Sequence, residues 1–309
     1  MSAQSDFLSG MLGFRLALEH EDIVDNAPSD RDHNLRAKTF RNGIAILGFA
    51  VLEHFIRRRT GEILDSFHRV CIPFDDLPDR LKKAATRGAL QGILKREKYS
   101  ADGIKFLQEE SAIVASSNST SFALSRYSLG FEGSNLTDEE TLSILKTFGV
   151  KDAWNLITSL SSRLDMAIPN AKTSFINATL RRHDAAHNVN ASVNPSDLQA
   201  FVRESYALAV GFDVLITSAF DKMLCGDKAH LTGNSTITDA DLRIRRILKR
   251  PDGKWAEYDL KRSNAVRVGK SGTDLWPGAR ARAIKHKELL VSFSTDGYPE
   301  KWDFPFTVV

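Results

Sequence analysis

Cysteine is nearly absent from this chain: Cys71 and Cys225 are the only two in 309 residues. Two thiols so far apart supply neither a disulfide framework nor a thiolate zinc site, and they suit a reducing compartment. Long apolar runs are absent too. The most apolar stretch, Gly43 to Leu52, is too short to span a bilayer, and Glu53 ends it. Met1 to Glu21 lacks the charged-then-apolar pattern of a secretory signal. The expectation is a soluble cytoplasmic protein with no membrane partner. The sequon Asn118-Ser119-Thr120 is then a chance match. There is no internal repeat and no coiled-coil heptad. Charge of one sign is scarce as well, because the net charge is only +3. Its distribution carries more information. Residues 241–309 hold 15 Lys+Arg against 9 Asp+Glu, whereas the other 240 residues hold 27 against 30. A polyanionic partner would feel the C-terminal end most.

The length suffices for one large or two modest domains. Hydrophobic content of 42% and charged content of 26% are ordinary for a globular chain. Residues 7–25 carry a ragged helical stripe, and Ile44, Leu47, Val51 and Phe55 recur on one face of a longer helix over 40–67. Further helices are expected over 77–98, 104–115 and 152–166. The Ser-, Asn- and Gly-rich stretch 116–134 reads as a loop. Thr137 followed by Glu140 forms a capping-box signature. Pro169 opens one helix, and Pro195-Ser196-Asp197 opens another that runs to Leu224. Beyond Gly226 the character changes. Residues 231–238 read as a linker, and Pro251-Asp252-Gly253 and Asp296-Gly297 each sit between strand-like runs. The fold class expected is mainly α: a helical domain over 1–225 with an insert at about 68–151, then a small β-rich domain over 239–309.

One stretch carries chemistry: Arg181-Arg182-His183-Asp184-Ala185-Ala186-His187. Arginine presents a planar fork of donors to a phosphate and to the charge that grows on it. Histidine titrates near neutrality and can take a proton from a ribose 2′-hydroxyl or give one to a leaving oxygen. RNA carries its own nucleophile, so this chemistry requires no metal or cofactor. Five positions along an ideal helix turn roughly 140°, so Arg182 and His187 do not share a stripe. Either the helix ends near Asp184, or two copies of the chain assemble one cleft, and the second option is favoured. The bland alternative is a helix end in which Arg182 pairs with Asp184 and His187 faces the last carbonyls. A zinc reading uses His183 and His187, four apart, with Glu204 as a third ligand. It is disfavoured, because Asp184 stands where such a motif needs glutamate.

Arg182-His183-Asp184-Ala185-Ala186-His187 resembles the Arg-x4-x6-His motif of HEPN domains, a helical ribonuclease superfamily. The position after the arginine is polar in that family, as His183 is here. Arg41-Asn42-Gly43-Ile44-Ala45-Ile46-Leu47-Gly48-Phe49-Ala50-Val51-Leu52-Glu53 likewise resembles the first core helix of the RiboL-PSP-type branch. The long helix from Ser196 to Met223 matches the final family helix in position. The resemblance spans residues 35–225, and the stretch between Phe67 and Asp152 and the β-rich tail lie outside it. It implies a HEPN-like bundle and a homodimer with a composite active site. It also implies metal-independent RNA cleavage to a 2′,3′-cyclic phosphate, and a role as a toxin or phage-defence effector with an antitoxin or sensor partner. Arg182 would stabilise the pentacoordinate phosphate, His187 would act as general acid or base, and His183 would orient phosphate or nucleophile. Arg181 is a further RNA contact.

Other candidates are weaker. Arg57-Arg58-Arg59 follows an apolar helix and would either receive RNA backbone or sit as solvated cations at a helix end. Glu53, inside that helix, is a buried partner for Arg182 or another arginine. Gly269-Lys270-Ser271 lacks the earlier glycine of a phosphate loop, which excludes a nucleotide triphosphatase. Trp255, Tyr258, Trp276 and Trp302 read as the core of the β-rich part rather than as base-stacking platforms. The competing functional class is a helical module that binds RNA or a protein without catalysis.

Overall fold

The computed structural model describes residues 2–119, 121–129, 135–260 and 264–304. Thr120 of the sequon, part of the 116–134 loop, Arg262 and Ser263, and the end of the strand expected beyond Trp302 lie outside these. Helix α1 (Ala3–Leu18) starts in a capping box on Ser2 and buries Phe7, Met11 and Phe14 at helical spacing. Helix α2 (Arg31–Asp65) begins nine residues before the expected Phe40, because the Asp30 carboxylate caps it by accepting from the His33 N–H. Gly48 lets α1 lie against α2: a Cβ there would meet the Phe14 ring at 2.3 Å.

Helices α3 (Asp79–Lys83) and α4 (Ala89–Glu97) are joined by a π turn over Ala84–Gly88, in place of one regular helix. Helix α5 (Gly103–Ala115) and α6 (Asp138–Thr147) follow, and α6 has the capping box of Thr137 and Glu140. Then come α7 (Ala153–Arg163), α8 (Ala171–His187), α9 (Pro195–Leu224) and the short α10 (Lys228–Leu231). Helix α9 is apolar on nearly every side and is buried from Val202 onward except at Arg203, Glu204 and Lys222. It is the axis against which α1, α2, α7 and α8 pack. Leu77, Leu81, Leu145, Phe148 and Val150, from the stretch expected as an insert, belong to the same apolar cluster.

The C-terminal part is a five-stranded sheet of order β3-β2-β1-β4-β5. Its strands are β1 (Arg243–Lys249), β2 (Trp255–Asp259), β3 (Arg267–Gly269), β4 (Glu288–Phe293) and β5 (Pro299–Asp303). Both expected turns are present, with Gly253 at φ +80° and Gly297 at φ +79°. Helix α11 (Gly272–His286), which the sequence reading missed, crosses from β3 to β4 and makes β4 run parallel to β1. Its inward stripe is Leu275, Ala279 and Ala283, mostly small residues, and Pro277 interrupts the pattern. Strand alternation gives the sheet two apolar faces. Ile247 and Leu290 pack under α11, while Ile244, Leu289, Val291, Phe293 and Trp302 join the main core with Phe7 and Phe55.

Beneath α11 lies a buried charge network. The Arg245 guanidinium donates to Glu288 at 2.7 Å and to Glu257 at 2.6 Å, and Arg282 donates to Glu257 as well. Burial opposes ionisation of Glu257, but Arg282 and Arg245 outweigh it and hold that carboxyl below its usual range.

Asp213, in the middle of α9, ties three layers together. Its Oδ1 accepts from Arg59 Nε of α2 at 2.6 Å and from Thr217 at 3.0 Å, and its Oδ2 accepts from Trp302 Nε1 of β5 at 2.8 Å. Burial works against the Arg59 charge, yet Asp213 and Glu62 raise its pKa above the ordinary value. Asp213→Ala should cost about 3 kcal/mol or more in denaturant unfolding, because it strands a buried guanidinium and the indole N–H. Asp213→Asn, which keeps the shape and one of the two acceptor oxygens, should cost less. Equal stability of Asp213→Ala and the parent would contradict this placement.

Candidate functional site on helix α8

Helix α8 starts where Asn170 accepts from the Thr173 N–H at 2.9 Å. It continues through the whole motif to His187, so it does not end at Asp184. Asn188 leaves the helix with φ −112° and ψ 110°, and its side chain donates to the Asp184 carboxylate at 3.0 Å. Asp184 is thus engaged by Asn188, while no ion pair joins it to Arg182 among the described residues.

Two neighbouring arginines have opposite fates. Arg181 donates to the Asp197 carbonyl at 3.1 Å and to Glu204 at 3.3 Å, and it lies over the Phe201 ring at 5.7 Å. It clamps α8 to α9. Glu204 also accepts from Ser174 at 2.9 Å, so this carboxylate is committed to the helix interface. Arg182 continues the inward stripe of Ala171, Phe175 and Ala178 to the point where the helix runs past the core. It is half-buried and, among the described residues, has no hydrogen-bond or ion-pair partner. An unpaired guanidinium held by its stem leaves its whole donor fork for an incoming anion.

His183 and His187 are exposed one turn apart, with ring centroids 4.7 Å from each other. They share the outward stripe with Leu180. Among the described residues, no three His, Cys, Asp or Glu side chains converge as a metal-ligand set.

The segment after His187 is fastened from α2. Arg41, only 2% exposed, donates through Nε to the Val193 carbonyl at 2.8 Å and through Nη1 to the Ile23 carbonyl at 2.8 Å. It also grips Asp25 with two nitrogens, at 2.9 and 3.2 Å. Asn42 donates to the Ala191 carbonyl at 2.8 Å and accepts from the Val193 N–H at 3.2 Å. Lys38 donates to the Val189 carbonyl at 3.1 Å. These are positioning residues that the motif alone did not reveal. The signal was a polar Arg41-Asn42 pair placed directly before the apolar stretch of that helix.

The Arg57-Arg58-Arg59 run lies elsewhere, toward the far end of α2. Arg57 pairs with Glu53 at 2.9 Å, Arg58 with Asp6, and Arg59 with Asp213 and Glu62. Each guanidinium has a carboxylate partner, so the run is neither a free phosphate patch nor a set of solvated cations. Glu53 also accepts from the Leu136 N–H at 3.0 Å; its arginine is Arg57 and not Arg182.

No protein-family model matches this chain, and no curated protein or solved structure matches it. No helix among the described residues is long and apolar enough to cross a membrane.

The contrast between the two arginines is testable by thermal melting. Arg181→Ala should lower stability by about 1–2 kcal/mol through loss of a charge-assisted clamp. Arg182→Ala should leave the melting temperature unchanged within about 0.5 kcal/mol. The reverse order would place the wrong arginine at the surface.

Proposed function

We propose that this protein is a HEPN-type endoribonuclease that cleaves RNA without a metal, by attack of the 2′-hydroxyl on the adjacent phosphate. One observation carries the reading: Arg182 is unpaired at the same end of α8 as the exposed His183–His187 pair, while Arg181 beside it is consumed by α9. In this reading Arg182 binds the phosphate and stabilises the charge that accumulates on its equatorial oxygens. His187 withdraws the 2′-hydroxyl proton or protonates the departing 5′-oxygen, and His183 orients the phosphate or the nucleophile. The products are a 2′,3′-cyclic phosphate and a 5′-hydroxyl.

A single helix directs Arg182 and His187 roughly 140° apart. Two copies of α8 facing each other solve this, because the guanidinium of one then meets the imidazole of the other across a shared cleft. The border of the motif suits such a contact. Val189, directly after it, is 92% exposed, and Leu180, Leu35 and Phe40 are exposed large apolar side chains. The biological setting that fits is a toxin or phage-defence effector held in check by an antitoxin or sensor partner. Arg181, Arg57, Arg58 and Arg59 drop out as RNA contacts in this account, since carboxylates already hold them.

The test is RNA cleavage by purified protein in excess EDTA. Activity should persist, and Arg182→Ala and His187→Ala should each lower it by on the order of 10²–10⁴. Activity abolished by EDTA would overturn the metal-free mechanism, and full activity in both variants would overturn the site. RNA affinity without cleavage in any form would mark a binding module instead. Specific activity should also rise with protein concentration through the range where sedimentation shows dimer formation; activity carried by a pure monomer would reject the composite site.

A further inference from the structure

A large open cleft lies far from the α8 motif. It spans about 840 Å³ between the segment before α3, the turn after α6, and the end of α9 with α10. The motif adjoins the start of α9 and this cleft its end, so α9 alone separates them by on the order of 40 Å. Its volume falls within the range of small-molecule sites, about 300–1,000 Å³.

The cleft has three kinds of wall. Its floor is apolar, with Ile72, Leu77, Pro78, Val150 and Leu231. One side carries Lys146 and Lys151 from the end of α6 and the turn after it, and Lys228 from α10. Lys151 spends a proton on the Gly233 carbonyl at 2.8 Å, whereas Lys146 and Lys228 have no hydrogen-bond or ion-pair partner among the described residues. The other side carries Asp75, Asp76 and Asp79. Among the described residues only Asp79 of these three carboxylates is paired, with Lys82 at 3.1 Å, and Arg80 also lines this side. Opposite charges thus face one cleft, and among the described residues no ion pair joins them across it.

Three helices, α6, α9 and α10, end at the rim of the cleft. Gly149, Gly226 and Gly233 all line it with positive φ, at +84°, +63° and +74°. A Cβ on Gly149 would meet the His230 ring at 2.9 Å. That ring is 1% exposed, donates through Nε2 to the Phe148 carbonyl, and leaves Nδ1 without a partner. Since a carbonyl only accepts, Nε2 carries the hydrogen and Nδ1 is an orphaned acceptor. Burial holds this imidazole below its usual pKa, so it stays neutral and adds no charge to the lysine side.

We propose that this cleft binds a small phosphate ester of nucleotide size, with the phosphate on Lys146 and Lys228 and a donor-bearing organic body between the apolar floor and Asp75 and Asp76. Unpaired ammonium groups supply the phosphate contacts, and the free carboxylates accept from hydroxyl or amino groups on the body. The flat apolar floor covers the remaining face of the ligand. The proposal is independent of the nuclease reading.

Isothermal titration calorimetry on the full chain tests it with inorganic phosphate, ribose 5-phosphate and the four ribonucleoside 5′-monophosphates. At least one ester should bind sub-millimolar and about tenfold or more tighter than inorganic phosphate. Lys146→Ala/Lys228→Ala should weaken that binding at least about tenfold while keeping the parent melting temperature, since neither lysine holds the fold. Asp76→Asn should weaken the ester and leave inorganic phosphate unchanged. Arg182→Ala should retain full binding. No ester bound more tightly than phosphate, unchanged binding in the double variant, or binding lost in Arg182→Ala would each overturn the proposal.

Discussion

The carboxylate of Asp213 is the constraint around which this fold is arranged. It sits on the buried axis helix and receives Arg59 from α2 and the Trp302 indole from β5. A buried charge pair contributes little net stability compared with apolar packing, but it permits very few alternative registers, because any slip strands a charge. Around it, the Phe7 and Phe55 rings each meet Trp302 edge-on at 6.1 Å and lie tilted to each other at 5.1 Å. Through this junction the C-terminal sheet is part of the same core as the helices, and α2 packs against α9.

That frame sets what α8 presents. Helix α8 lies between α2 and α9, with Arg181 clamped to α9 and the segment after His187 fastened by Arg41, Asn42 and Lys38 of α2. The motif is therefore held on both sides without consuming its own chemical groups. Arg182 is left without a side-chain partner among the described residues, and His183 and His187 stay exposed.

Local signals in the sequence anticipated local structure well. Thr137 with Glu140, Pro195 as first helical residue, and the Asp-Gly turns at 252–253 and 296–297 all act within four residues, and each is found as expected. Longer-range partners were not legible. Arg57, Arg58 and Arg59 read as a basic run, but Glu53, Asp6, Glu62 and Asp213 neutralise them from four positions, two of them far off in sequence. Helix α11 was missed because its buried stripe is mostly alanine and Pro277 breaks its periodicity. For the site, the motif itself was visible, and so was the 140° divergence of its ends. The motif spacing already preferred Arg182 over Arg181; what it could not show is that Glu204 and Phe201 of another helix hold Arg181.

The central claim is that α8 carries out cleavage using the RNA's own 2′-hydroxyl as nucleophile. The most direct measurement uses a cleavable RNA with a single 2′-deoxy nucleotide on the 5′ side of the scissile phosphate, with the product ends identified by mass. The account predicts a 2′,3′-cyclic phosphate from the all-ribose strand and no cut at the substituted position. Continued cutting at the deoxy position, or products ending in a 3′-hydroxyl, would contradict it.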